Sequence, residues 1–160
     1  MKIRQAVIMF AVIFAVHSFL SCDKGANPVD SSNFKSTLPK YSNTTTIHED
    51  YWVSRIRADR RMLILTYNRS DWLRSNGDPA DYSVEGFSRI DEDQSITNIK
   101  ILNLADIVGL QKEIKNRINT IAAGIDRSFL LQKDTKSGVV RCFLVIKGEV
   151  VYLIVIELND

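Results

Sequence analysis

The residues best able to do chemistry are carboxylates, and they fall into two groups. Asp78, Asp81 and Glu85 could, together with the amide of Asn76, offer oxygen ligands to a calcium ion. An EF-hand loop carries its glycine at the sixth position, whereas counting from Asp71 puts the glycine of this stretch seventh. The spacing therefore indicates turn residues, and no metal site is predicted.

The second group is the run Asp91-Glu92-Asp93, which could supply an acid and a base for hydrolysis. Catalytic carboxyl pairs need burial or an enclosing cleft to shift their pKa values. Adjacent acids in a polar run are ordinarily solvated. A hydrolase that uses the carboxylates of residues 68–93 is therefore the alternative function, and no residue is assigned a catalytic role.

A third constellation combines cations with aromatic rings. It consists of Arg55, Arg57, Arg60 and Arg61, with Trp52 and Tyr67. Strand alternation places the first two arginines on one face, where they could meet phospholipid head groups or an acidic partner. Charged side chains along a sheet edge also discourage aggregation between strands. That structural role is the simpler interpretation.

The amino-terminal segment has the pattern of an export signal. Lys2 and Arg4 give a basic start, and residues 6–16 are apolar without interruption. A membrane-spanning helix needs about 20 such residues, while the apolar region of a secretory signal has about 7 to 15. Residues 1–21 are therefore predicted to be a signal peptide.

The residues that follow resemble the end of a bacterial lipoprotein signal. The family pattern is Leu, two small residues, then Cys. The chain reads Phe19-Leu20-Ser21-Cys22, in which Ser21 and Cys22 match. The resemblance covers residues 1–22 and implies diacylglycerol on the Cys22 sulfur, cleavage before Cys22 and acylation of the new amino terminus. It implies a bacterial cell-envelope protein held by lipid at the inner or the outer membrane, since several acyl chains anchor stably.

Cys22 has a second possible role. After an ordinary cleaved signal, or in an uncleaved anchor, it could pair with Cys142 in an oxidising compartment. The two cysteines lie on opposite sides of a predicted linker, so nothing positions them for a disulfide. Lipidation of Cys22 is the favoured interpretation.

Composition excludes several classes of function. Cleavage before Cys22 removes Lys2 and Arg4 and leaves 19 basic and 19 acidic residues, so general attraction to nucleic acid has no support. His48 is then the one remaining histidine. Zinc sites with several His ligands are excluded, and so is Ser-His or Cys-His catalysis unless His48 adjoins a nucleophile. No nucleotide-binding motif is present, and no cofactor is predicted.

The rest of the chain divides into a tether and one domain. Residues 22–47 are rich in Ser, Thr, Asn and Pro and predict a flexible, lipidated tether. Such a coil has a dimension of about 25 to 30 Å. Residues 48–160 suit a single small α+β domain.

Patterns within residues 48–160 predict individual elements. An apolar stripe predicts a helix over residues 104–123 that ends at Gly124. Residues 68–90 indicate a long loop. Strands are predicted within residues 51–67, 97–102, 128–132, 139–146 and 149–158, the last two joined by a Lys147-Gly148 turn.

The predicted fold is an antiparallel sheet with one long amphipathic helix packed on one face and a C-terminal three-strand meander. This order is similar, at fold level, to the small one-helix-on-sheet domains of secreted lipoproteins, including PsbP/Mog1-like domains. The segment LTYNRSDWLRSNG resembles their early strand and aromatic loop.

Both faces of the predicted hairpin are apolar, and a single helix covers one face only. Either the loop with Trp72, Tyr82 and Phe87 covers the second face, or an external partner or ligand does. The possible binding face consists of Phe143, Val145, Tyr152, Ile154 and Ile156.

These observations favour a non-enzymatic, membrane-tethered domain that binds a protein or a small ligand. Besides the hydrolase, a structural spacer that self-associates through the Phe143, Tyr152 and Ile154 face is the further alternative.

Overall fold

The computed structural model describes residues 44–54, 60–136 and 138–159. The strands are β1 (His48–Val53), β2 (Arg61–Asn68), β3 (Ser88–Ile90), β4 (Arg127–Thr135), β5 (Gly138–Lys147) and β6 (Val150–Asn159). The helices are α1 (Arg69–Asn76), α2 (Gln94–Asn103) and α3 (Lys112–Ala122), with a 3₁₀ turn at Leu104–Asp106. The α+β class is confirmed.

All six strands belong to one antiparallel sheet with the order β1-β2-β6-β5-β4-β3. The hairpin predicted around Lys147 and Gly148 is confirmed, with Lys147 paired to Val150. The glycine has φ +54°, a conformation that glycine adopts without strain. This register fixes which side chains share a face of the sheet.

The helices cover one face of the sheet. Ile114, Ile118 and Ile121 of α3 are buried, and Ile101 of α2 joins them. They pack on the side chains that the hairpin turns toward this face, together with Met62 and residues of the neighbouring strands. This layer buries the apolar stripe from which the sequence predicted a helix.

The opposite face is covered by α1 and the segment that follows it. Trp72 is fully buried, and its ring centroid lies 5.0 Å from that of Tyr67 and 4.9 Å from that of Tyr82. Tyr82 and Phe87 pack on the same cluster as Leu144. Of the two alternatives for the second face, coverage by the chain itself is the one that the structure shows.

The predicted helix over residues 104–123 is interrupted. Gly109 has φ +81°, which an α-helix does not allow, so the regular helix begins only at Lys112. Leu104 begins a single 3₁₀ turn that ends at Asp106. The prediction of one long helix was therefore wrong, although the stripe of isoleucines was correctly assigned to the core.

Two further predictions were wrong. Residues 97–102, predicted to be a strand, belong to α2. Residues 68–90 are not a continuous loop, because α1 begins directly after β2 and β3 occupies their end. The side chain of Asn68 caps α1 by accepting from the backbone N–H of Ser70 at 2.9 Å.

Candidate functional site

The predicted binding face is interior. Phe143, Val145, Tyr152, Ile154 and Ile156 are between 0 and 8% exposed, because the helical layer lies over them. The expectation of an apolar surface open to a partner or to self-association at these residues was wrong for this reason. A binding surface in the described part of the domain must be built from other residues.

Helix α2 is held firmly along its inner side. Asp93 caps it by accepting from the Ser95 hydroxyl and from the Ser95 backbone N–H, the latter at 2.7 Å, and these two hydrogen bonds lower the pKa of Asp93. Thr97 and Ile101 are buried. Asn98 accepts a hydrogen bond at 2.7 Å from the hydroxyl of Ser128 on β4. These contacts fix which side of α2 faces the solvent.

Glu92 adds a second fixed point at the start of α2. Its carboxylate accepts from the Thr97 hydroxyl at 2.7 Å and pairs with the Lys100 ammonium. Partial burial alone would raise the pKa of Glu92, but the hydrogen bonds from Lys100 and Thr97 lower it overall. The ion pair joins the last turn of α2 to the residue that precedes its N-cap.

The outer side of α2 carries three large apolar side chains. Ile96, Ile99 and Leu102 are 47%, 57% and 50% exposed. A spacing of three residues places successive side chains on the same side of a helix. We call these three residues the α2 stripe. Val108, in the connection to α3, is 83% exposed.

No formally charged residue lies among the outward-facing residues of α2. Besides the stripe these are Gln94, Ser95 and Asn103, all exposed. The single charged residue of the helix, Lys100, is half-buried and paired with Glu92. Depletion of charge around exposed apolar side chains is typical of the centre of a protein–protein interface.

The carboxylates considered for catalysis are exposed, except Glu92, which is partly buried and paired with Lys100. Asp78 accepts from the backbone N–H of Ala80 at 2.7 Å and lies 3.7 Å from Arg127, while Asp93 caps α2. Asp81 and Asp91 are also exposed. Within the described residues, no three His, Cys, Asp or Glu side chains are grouped as metal ligands.

The arginine constellation is divided by the fold. Arg55 and Arg57 lie outside the described residues. Arg61 donates from Nε to the Glu157 carboxylate at 2.7 Å. Trp52 and Tyr67, at 3% and 2% exposure, are core residues. The arginines and aromatic rings predicted to act together therefore do not form one surface in the part of the chain that is described.

His48 belongs to a polar cluster at the sheet edge. Its Nε2 lies 3.1 Å from Oδ1 of Asp50, whose Oδ2 lies 3.4 Å from Nε of Arg117 on α3. Arg117 donates to the Thr66 hydroxyl at 2.9 Å and stacks over the Tyr152 ring at 5.3 Å. This cluster ties the helical layer to the first two strands, and among the described residues it contains neither a serine nor a cysteine beside His48.

Cys142 is fully buried, and burial raises the pKa of its thiol. Cys22, the signal peptide and residues 22–43 of the tether lie outside the described residues. Among the residues that are described, no helix is long and apolar enough to cross a membrane.

The α2 stripe was missed because the helix was missed. The signal for it was available in Asp93 followed by Ser95, an N-cap arrangement, and in apolar residues spaced by three from Ile96.

A scan of the chain against protein-family models finds no match, and searches of curated proteins and of solved structures find none either.

Proposed function

We propose that this chain is a cell-envelope lipoprotein, anchored through a lipidated Cys22, whose domain binds a partner protein through the α2 stripe. In this proposal the lipidated tether holds the protein at the membrane, and the folded domain makes the contact with the partner protein. The observation that carries the binding role is the set of three exposed aliphatic side chains on a helix surface whose other exposed residues carry no formal charge.

A partner protein is favoured over a second copy of the chain because of size. Obligate homodimers bury about 2,000 to 5,000 Å² in total, and three aliphatic side chains over two helical turns supply only a small part of that. The stripe instead has the size of a binding hot spot, and the contacts around it would be made with the rest of the partner's surface. An aliphatic or aromatic surface on the partner is the chemistry that fits it.

The test places a photo-crosslinking amino acid at position 99 of the full chain in its own membrane. The matched control places it at position 73, since Leu73 is 41% exposed on α1 in the other layer. We expect one protein crosslinked from position 99 and not from position 73. The same product should be lost when Ile96→Ser and Leu102→Ser are combined.

The purified partner must then bind the full chain, and the double substitution should weaken binding by at least about tenfold, because each buried aliphatic side chain contributes about 1.5 to 3 kcal/mol. Crosslinks to lipid alone, or to a second copy of the chain, would contradict a partner protein. An unchanged affinity of the double variant would show that the stripe is not the site.

The anchor is tested separately. Cys22→Ser should abolish incorporation of labelled palmitate and leave the precursor uncleaved. Continued cleavage of the variant before residue 22 would indicate an ordinary signal peptidase and would refute the lipoprotein proposal without affecting the binding result.

A further inference from the structure

A second feature lies on the opposite layer, at the β3–β4 edge of the sheet. Two guanidinium groups share one aromatic ring. The Cζ atoms of Arg89 and Arg127 lie 4.2 Å and 5.1 Å from the centroid of Phe129. The two Cζ atoms are therefore at most about 9 Å apart. The two positive charges repel each other at this distance unless a negative charge offsets them.

The register explains how the chain brings them together. Arg89 of β3 pairs with Leu131 of β4, so its side chain lies diagonally across from Phe129 on the same face. Arg127 is two residues before Phe129 on β4 and points the same way. Both arginines are solvent-exposed, and the ring between them is half-buried.

A third cation extends this surface. The Lys133 ammonium lies 5.9 Å from the centroid of Phe87 and passes close to Gly86. Lys133 follows Phe129 by four residues on β4, so it occupies the same face. We call Arg89, Arg127 and Lys133, with Phe129, the cationic edge.

The stacking leaves donors available. A guanidinium that lies on an aromatic face retains its in-plane N–H groups. Arg89 uses Nη1 for the carbonyl of Ala80, and Arg127 faces Asp78 at 3.7 Å, which is longer than a hydrogen bond. Among the described residues, Asp78 is the acidic group seen beside Arg127, and it offsets one of the two charges.

We propose that the cationic edge binds a phosphate group, with Arg89 and Arg127 donating to its oxygens. Two planar guanidinium groups held by a common ring match the geometry of phosphate oxygens better than the point charge of an ammonium group does. The phosphate belongs either to a soluble phosphate ester or to a phospholipid head group. The proposal is independent of the α2 stripe and of the anchor.

The first arm of the test titrates the complete chain, in neutral detergent, with inorganic phosphate. The readout is the Nε–Hε NMR signals of the arginines. We expect the Arg89 and Arg127 signals to shift together and to saturate at a phosphate concentration on the order of millimolar. Arg74 provides the matched control, because it is exposed on α1 and pairs with Asp71. Sodium chloride at equal ionic strength controls for screening.

Three variants sharpen the result. Arg89→Lys and Arg127→Lys keep the charge but lose the planar fork, and each should weaken binding by at least about fivefold. Asp78→Asn removes the competing carboxylate and should strengthen binding by about twofold to fivefold. A gain of affinity in Asp78→Asn cannot arise from a misfolded protein.

The second arm replaces phosphate by vesicles of phosphatidylglycerol, with phosphatidylcholine vesicles for comparison. A response to free phosphate assigns a soluble phosphate ester, and a response to phosphatidylglycerol vesicles alone assigns a lipid head group. The proposal is overturned if neither ligand shifts Arg89 and Arg127, or if Arg74 and the chloride control respond equally.

Discussion

Substituting Gly109 by alanine should change the stability of the domain in opposite directions in a continuous helix and in the interrupted one. In a continuous helix, Gly109→Ala would stabilise the domain by about 1 kcal/mol, because glycine is a poor helix former. In the structure Gly109 has φ +81°, which alanine adopts only at a cost of about 1 to 2 kcal/mol. An added Cβ meets no atom within 4 Å, so no steric term obscures the backbone term.

Urea unfolding followed by circular dichroism measures the effect. With a slope of about 1 to 3 kcal/mol per molar urea, the midpoint should fall by about 0.3 to 2 M. Asn116→Ala is the control. Asn116 is exposed in α3, where alanine should raise the free energy of unfolding by about 0.5 kcal/mol. A midpoint that rises for Gly109→Ala would refute the interrupted helix.

Three other predictions follow from contacts described above. Arg117→Met should lower the free energy of unfolding by about 1 to 2 kcal/mol because it removes the cation beside Oδ2 of Asp50 and the donor to the Thr66 hydroxyl; a double-mutant cycle with Asp50→Asn showing no coupling would contradict this. Since the pKa of Glu92 is held below its ordinary 4.5, its contribution is present above that pH and lost as pH falls through the lowered pKa. Urea titrations between about pH 6 and 3 should therefore show a smaller loss of stability in Glu92→Gln than in the parent. Cys142 should react with a thiol reagent only after unfolding, and reaction of the native protein at the rate of free cysteine would contradict its burial.

The sheet was the more predictable half of this fold. The residues from Val139 to Leu158 pair as predicted across Gly148, because a two-residue turn determines the register of both strands. The assignment of Phe143 and Leu144 to opposite faces followed from the alternation of side chains along a strand. What covers each face depends on distant residues, and local patterns do not contain that information.

The helices were harder for two different reasons. In α1 only Trp72 is buried, so the segment has no apolar stripe to reveal a helix. In α2 the β-branched residues Ile96, Thr97 and Ile99 favour a strand by propensity, and packing of Thr97 and Ile101 against the sheet overrides it. The candidate binding stripe could not be found before this helix was placed.

The cationic edge was unpredictable for a third reason. Arg89 and Arg127 are separated by α2 and α3 in sequence and meet only because β3 adds to the outer edge of β4. A site of this kind depends on the order of the strands in the sheet, and no short sequence motif predicts that order.

The position of β6 in the sheet affects how the domain folds during synthesis and how it responds to proteolysis. The strand β6 follows the other five described strands in sequence but lies between β2 and β5, so it is inserted in the middle of the sheet and is not added at an edge. Before Val150 to Asn159 is available, β1 and β2 form only a two-stranded ribbon, which is marginally stable in water. The domain therefore cannot acquire its native sheet stepwise during synthesis, and its folding depends on contacts between residues far apart in the chain, which form slowly. A protease that removes β6 would take away the strand that joins β2 to β5 and disrupt both core layers, so the integrity of residues 150–159 decides whether the domain persists.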